Sequence, residues 1–509
     1  MCSCGVTLKR WFCIFMLISI ALIISGLFFI IYGALNYEDE TEDLRYQKAD
    51  RVGAVIDAGG SATRLSLYNM NEKTKKFRLL GGKVFECEGK GIDHYNEDTY
   101  EELRNQLTNC LSQPFQNRLI EDRDVIPLYF GATGGMRLLR LQNKTLYNQT
   151  MGVIKDVLEK SSFKIANIKV LEGSEEAVKS WDAVNFMKAA ANRKGIVELG
   201  STSLQFIFEP DQSQVTPSTE NVIEIKTTEG TKLLYRTSYL CFGVTEAERR
   251  VNAFLLNSTS LNESQPIDNP CYFSGYNKNI TVDKIYGSAC VSGDYARNEL
   301  GSSFNAPPVN ATTFLFRGTS DENACASLFE KVYRVNPTGP GFNDVSQPPV
   351  NGNFYGLSTL FYVARYMKLS SDAGLEQFRA KRDEICAKKW SELTLDKYTA
   401  RRCFDSSYSY WLLTKGFNFP ENSDQIKFIQ KNEDNVNIIW SLGWIKEVQD
   451  DLYKRKGLPY RFRIITRRPN FMILLAIGVI FLIIGVVLLA CSIKSKRSGR
   501  EPVHTAEMY

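Results

Sequence analysis

Two unbroken apolar runs bracket the chain. Residues 11–35 carry no charge over 25 positions and residues 471–493 carry none over 23. Each exceeds the roughly 20 residues a helix needs to cross a bilayer core, so both are predicted as transmembrane helices. A cleaved leader would have a shorter apolar stretch. Between them the pattern changes to that of a folded domain. An apolar run from Val52 ends in Asp57-Ala-Gly-Gly-Ser-Ala-Thr63, and an alternating run starts at Arg64, which predicts strand, tight turn, strand. Gly195 to Phe208 repeats the design, with Glu198 at the end of the apolar run and Gly200 in the turn. Two such hairpins about 140 residues apart predict an internal duplication with two half-sites facing each other.

Two further segments carry the same flavour. Leu128 to Leu139 reads as a strand running through Gly131-Ala-Thr-Gly-Gly135 into a helix, and a helix N-terminus preceded by glycines is a natural phosphate seat. In Val170 to Phe186, Glu175 and Glu176 open a helix whose apolar positions include Val178, Trp181 and Val184. Acidic residues there can simply complement the helix dipole; the sharper reading makes one of them a general base.

Charge sets the orientation. Lys9 and Arg10 precede the first run, acidic residues 38–43 follow it, and Lys494, Lys496, Arg497 and Arg500 follow the second. The positive-inside rule puts both short ends (1–10 and 494–509) in the cytosol and residues of about 36–470 outside, despite Arg461, Arg463, Arg467 and Arg468 on the outer side. The outer segment holds the sequons at Asn143, Asn148, Asn257, Asn262, Asn279 and Asn310, and eight cysteines without CxxC spacing. Both features fit an extracytoplasmic, disulfide-bonded domain. Cys2, Cys4, Cys13 and Cys491 sit at or within the spans, where a free thiol is commoner than palmitoylation. A net charge of +5 without a basic, aromatic-studded patch excludes nucleic acid as a partner.

Only two histidines exist, His94 and His504. Histidine triads, phosphohistidine chemistry and His-rich zinc sites are thereby excluded outside the membrane. Carboxylates, hydroxyls and backbone amides must do any catalysis.

In this order and spacing the segments resemble the apyrase-conserved regions of the ecto-nucleoside triphosphate diphosphohydrolases, or ecto-apyrases. The family's patterns are similar to DAGSSxT, GATAGMRLL, GxEEGxxxW with a following NY, DLGGASTQ, FLCYG and WxLG. Here they read Asp57–Thr63, Gly131–Leu139, Gly173–Trp181 with Asn185-Phe186, Glu198–Gln205, Tyr239–Gly243 and Trp440–Gly443. The resemblance implies an α/β fold of two actin- or sugar-kinase-like lobes with the active site in the cleft between them, flanked by the two membrane helices. The first lobe is expected over 48–165, completed by about 440–462, and the second over 166–439. It also implies the disulfides Cys87–Cys110, Cys241–Cys290, Cys271–Cys325 and Cys386–Cys403.

The implied activity is extracytoplasmic hydrolysis of the terminal phosphates of ATP, ADP, UTP or UDP. Glu176 would be the general base, with Ser203 and Gln205 holding the attacking water. Gly59, Gly60, Ser61, Ala62, Thr63, Arg64, Thr133, Gly134, Gly200, Ser201 and Thr202 would bind phosphate. Mg²⁺ or Ca²⁺ would bridge phosphate oxygens and be held through water by Asp57 and Glu198. Phe361, Tyr362 and Tyr398 would sandwich the base. The partners expected are the nucleotide, membrane lipid along both spans, and a second copy through the spans. The cell surface is the expected location, with a Golgi or other secretory-pathway nucleoside diphosphatase as the alternative. A weakly active or non-catalytic nucleotide receptor on the same scaffold is the rival of another class. Departures from the family pattern fall at Gly60, Ala62, Ala177, Glu198 and Ser201. Glu198 replaces a shorter Asp, and the Ser201 hydroxyl is expected to compensate for the extra methylene.

Overall fold

The computed structural model describes residues 17–28, most of 51–448, and 479–490 without 489. Left outside are 1–16, 29–50, 71–75, 118–125, 186–192, 216–218, 228–229, 259–264, 302, 306–310, 334–346, 432–436, 449–478, 489 and 491–509. Both charged ends, Cys2, Cys4, Cys13, Cys491, Asn262, Asn310 and much of the two predicted spans therefore lie outside the described residues. The chain divides into two compact units, one built from its two ends with 71–74, the other from 51–70 and 75–459.

In the unit of the chain ends, residues 17–28 and 479–488 are helical. Gly485 lies against Ser19 and Ile23, so a Cβ there would be 2.7 Å from Ile23 Cγ1. Small residues permit such close helix approach. Among the described residues, no helix is long and apolar enough to cross a membrane.

The larger unit is an α/β structure. Strands β1 (Arg51–Ala58) and β2 (Thr63–Met70) form an antiparallel hairpin, and β5 (Pro127–Ala132) and β6 (Lys164–Val170) continue in parallel beside β1. β3 (Phe77–Leu79) and β4 (Phe85–Cys87) both pair with β2. The sheet order is β3-β2-β1-β5-β6. A second sheet repeats the plan: β7 (Gly195–Leu199) and β8 (Ser203–Phe208) form the hairpin, and β14 (Phe354–Ser358) and β15 (Ile426–Phe428) run in parallel beside β7. β10 (Gly230–Leu240) pairs with β8 and β9 (Val222–Thr227) with β10, giving the order β15-β14-β7-β8-β10-β9. Two sheets with the same hairpin-plus-parallel topology are what the repeated hairpin motif predicts. β11 (Ile267–Asn269), β12 (Asn277–Thr281) and β13 (Thr313–Gly318) form a third, small sheet.

β5, β7 and β8 are buried at every position, as strands are when both faces of a sheet are covered. The alternation expected from Arg64 is accordingly muted, because β2 is covered on both faces over most of its length. Helix α1 (Gly134–Gln142) follows β5, α2 (Gly173–Asn185) follows β6, and α3 (Trp440–Glu447) packs on α2. Gly443 of α3 sits on the Lys179 carbonyl of α2, leaving no room for a Cβ. The four expected disulfides are all present.

Candidate active site

The two glycine turns face each other. A Cβ on Gly60 would lie 2.7 Å from Thr202 Oγ1, 3.2 Å from Ser201 Oγ and 3.6 Å from the Gly135 Cα. One on Gly134 would lie 2.9 Å from Ser203 Oγ. Residues 59–63, 133–135 and 200–203 therefore converge, and glycine is needed at 60 and 134 for that approach. The turns match in detail: Gly59 N–H donates to the Ala62 carbonyl at 3.0 Å and Gly200 N–H to the Ser203 carbonyl at 2.9 Å. Thr133 N–H likewise donates to the Ala58 carbonyl at 3.2 Å. Those three amides are committed to the chain itself, so any anion held here must use the other groups of the turns. One is the Thr63 hydroxyl, which is buried without a hydrogen-bond partner among the described residues. Arg64 lies 3.7 Å from Glu86 on the neighbouring strand.

Glu176 stands in the first turn of α2 and is buried. The Arg137 guanidinium, from α1, donates to Glu176 Oε2 at 2.8 Å and to Ser203 Oγ at 2.9 Å. Gln205 Nε2 donates to Ser203 Oγ at 2.9 Å and lies 3.4 Å from Glu176 Oε2. With two donors on its oxygen, Ser203 retains its own proton to donate. Glu176, Ser203 and Gln205 thus form one cluster, as expected, and Arg137 joins them. Arg137 lies within the motif Gly131–Leu139, but its pairing with a residue 39 positions on leaves no local signal.

Asp57 and Glu198 close their respective first strands. Trp440 Nε1 donates to Asp57 Oδ1 at 3.1 Å, and the Trp440 ring packs against Gly131, where a side chain would collide with it. Glu198 accepts from Ser180 at 2.5 Å and from Ser358 at 3.0 Å. The extra methylene is therefore received by Ser180 and Ser358, not by Ser201, whose hydroxyl lies 3.5 Å from Thr202 Oγ1. Ser180 is one helical turn from Glu176, whereas Ser358 is held at φ 58°, ψ −120°. Such a backbone costs about 1–3 kcal/mol for a non-glycine residue. Nothing in the local sequence announces it.

Burial dominates the electrostatics. It pushes Asp57 up to about 7, opposed by Arg64 and by the Trp440 hydrogen bond and reinforced by Glu198. It pushes Glu176 up to about 7, opposed by Arg137 and reinforced by Glu198 and Asp57. Glu198 is raised by burial and opposed by its two serines. Glu198 raises both Asp57 and Glu176, and Asp57 raises Glu176, against the pull of Arg64 and Arg137; a divalent cation is a group that would offset such crowded negative charge. Among the described residues no three His, Cys, Asp or Glu side chains are grouped to ligate a metal directly.

The aromatic residues are less gathered. Phe361 and Tyr362 meet edge to face at 5.4 Å, and Tyr362, 49% exposed, accepts from Gln430 at 3.1 Å. Tyr398 is 61% exposed with Lys397 Nζ 5.3 Å from its ring. Among the described ring contacts, none joins it to the other two.

Residues 44–458 match the model of the GDA1/CD39 (nucleoside phosphatase) family. The chain is 26% identical to ectonucleoside triphosphate diphosphohydrolase 3 of Mus musculus over 438 residues, 79% of each chain. It is 29% identical to ectonucleoside triphosphate diphosphohydrolase 8 of Gallus gallus over 434 residues, covering 80% of this chain and 84% of that one. In fold it is similar to a nucleoside triphosphate hydrolase of Neospora caninum, with a TM-score of 0.58 at 12% identity over 83% of this chain and 97% of that one.

Proposed function

The chain belongs to the GDA1/CD39 (nucleoside phosphatase) family, and from that premise we propose how its own residues carry out the hydrolysis of nucleoside tri- and diphosphates. The observation that carries the proposal is the Arg137–Glu176–Ser203–Gln205 cluster placed against the converging glycine turns. The turns at 60–63 and 201–202, with Gly134, seat the phosphate oxygens. Ser203 donates its free proton to a lone pair of the attacking water, and Gln205 holds Ser203 in place. Glu176 takes a proton from that water as its oxygen bonds to the terminal phosphorus, and the bond from phosphorus to the bridging oxygen breaks. The products are inorganic phosphate and a nucleotide shorter by one phosphate. Arg137 keeps Glu176 oriented and favours its ionised form.

Mg²⁺ or Ca²⁺, bound through water to Asp57 and Glu198, would neutralise charge on the phosphate oxygens. Ser180 and Ser358 hold Glu198, and Trp440 holds Asp57, in fixed positions to receive such a cation. Phe361, Tyr362 and Tyr398 would be the aromatic groups offered to the base, the first two in mutual contact.

The two sheets are the cores of two actin- or sugar-kinase-like lobes, over 48–165 and 166–439. The contacts of α3 with Gly131 and Asp57 support its return to the first lobe, while its Gly443 packs on Lys179 of the second. The apolar runs at 11–35 and 471–493 are membrane spans with both termini cytosolic, and the larger unit is extracytoplasmic, at the cell surface. The disulfides and sequons support that side of the membrane. Phosphate release by the detergent-purified chain, compared with Glu176→Ala, tests the chemistry. Glycosidase-sensitive mass with tags at both ends inaccessible on intact cells tests the topology.

A further inference from the structure

Between β4 and the helix Tyr100–Gln116 the chain makes a short turn, Ile92–His94, that plays no part in the hydrolytic mechanism. It lies against the phosphate turns. A Cβ on Gly91 would collide with the Gly60 carbonyl and lie 2.9 Å from Asp93 Oδ1. A Cβ on Gly135, second residue of α1, would be 2.6 Å from both Cγ and Oδ1 of Asp93 and 2.8 Å from Oδ2. The Asp93 carboxyl therefore fills the space that a side chain at Gly135 would need, beside Gly60 and Gly134. Its side chain is 13% exposed. Oδ2 lies 3.4 Å from His94 Nδ1, while Oδ1 is buried and has no hydrogen-bond partner among the described residues.

A buried oxygen left without a partner calls for an explanation, and here it borders a seat for phosphate. An anion in that position disfavours a bare polyphosphate, whose charge has the same sign. It tolerates one whose charge is offset by a divalent cation. We propose that Asp93 is a specificity-determining residue that couples nucleotide affinity to the cation. It rejects metal-free nucleoside polyphosphates and admits their Mg²⁺ or Ca²⁺ complexes. This rests on the phosphates occupying the glycine turns, as the proposed function requires. Like charges a few ångströms apart in a protein-like medium change affinity by on the order of tenfold to a hundredfold.

The test is calorimetric binding, not turnover. The probe is the α,β-methylene analogue of ADP, which lacks the scissile bridging oxygen. It is titrated into the detergent-solubilised full chain, once in EDTA and once in excess MgCl₂. Asp93→Asn keeps the shape and removes the charge; Asp93→Ser removes both and guards against an effect of the new amide. Gly60→Ala, whose methyl would press on Thr202 Oγ1, tests the phosphate placement itself. Asp93→Asn and Asp93→Ser are expected to lower the ratio of the metal-free to the Mg²⁺-loaded dissociation constant by about tenfold or more. Gly60→Ala is expected to weaken both forms. If Gly60→Ala weakens binding while both Asp93 variants keep the wild-type ratio to within about twofold, Asp93 has no such role. If Gly60→Ala leaves both affinities intact, the phosphates lie elsewhere and the role of Asp93 falls with their placement.

Discussion

Replacing Arg137 by Met would remove the one positive charge that, among the described residues, touches the proposed base, while keeping a long side chain in its place. Arg137 and Glu176 are both buried, 2.8 Å apart, and burial already holds Glu176 at about 7 against the pull of that guanidinium. An opposing charge at such a distance shifts a carboxyl by roughly one to three pH units, so its loss raises Glu176 further. Only the ionised form can accept a proton from water. At pH 7 the ionised share, about half in the wild type, then falls roughly 5- to 500-fold, and the rate falls with it. The deficit must shrink as pH rises toward 9, because the carboxyl ionises there even without its partner. Losing the bond to Ser203 adds a smaller, pH-independent part. Stability should drop as well: breaking a buried ion pair costs about 3–5 kcal/mol, most of it from the stranded charge. Pairing Arg137→Met with Glu176→Gln should therefore recover melting temperature but no activity. The assay is phosphate release across pH 6–9.5, with melting curves for the single and double variants. A deficit of equal size at pH 6.5 and 9 would refute the idea that Arg137 acts on the ionisation of Glu176.

Three more outcomes are expected. Asp57 and Glu176 have folded-state values above their ordinary ones, so the folded chain binds more protons than the unfolded chain between about pH 4 and 7. Stability in EDTA should therefore fall as pH rises through that window, and Mg²⁺ should blunt the fall; a melting temperature that climbs with pH in EDTA contradicts this. Glu198→Asp should withdraw the carboxylate from Ser180 and Ser358 and lower both turnover and melting temperature. Hydrogen bonds to charged groups are worth about 1.5–3 kcal/mol each. Double-mutant cycles should show coupling of Glu198 to Ser180 but additivity with Ser201→Gly. Gly443→Ala should destabilise by about 1–3 kcal/mol or more, since the obstructing atom is the Lys179 backbone carbonyl; an unchanged melting temperature would show that α2 and α3 can separate freely.

What could be read in advance depends on the range over which a signal acts. An apolar run ending in an acid and a glycine turn is a local pattern, and its recurrence at Asp57 and Glu198 foretold both the hairpins and the matching topology of their sheets. The cluster of Glu176, Ser203 and Gln205 was legible only through the family resemblance, which ties segments that spacing alone cannot. The partners supplied by tertiary packing were missed. Arg137 reaches Glu176 from another helix, Ser358 approaches Glu198 across 160 residues from a strained backbone, and Asp93 enters through a short turn with no motif of its own. The glycines deceived in one respect. Those at 59 and 200 suggested amides open to phosphate, yet both amides close their own turns. The close approach of one turn to the other belongs instead to Gly60, which faces Thr202 and Ser201.

The central claim is that buried Glu176, set by Arg137 against the glycine turns, drives hydrolysis of nucleoside polyphosphates with a divalent cation. It is tested most directly by inorganic phosphate release from ATP, ADP, UTP and UDP. The detergent-purified full chain is compared with Glu176→Ala in Mg²⁺, Ca²⁺ and EDTA. Release is expected in either cation, with loss in EDTA, and loss in the variant while the nucleotide still binds. Release by Glu176→Ala equal to that of the wild type, or equal release in EDTA, would contradict it.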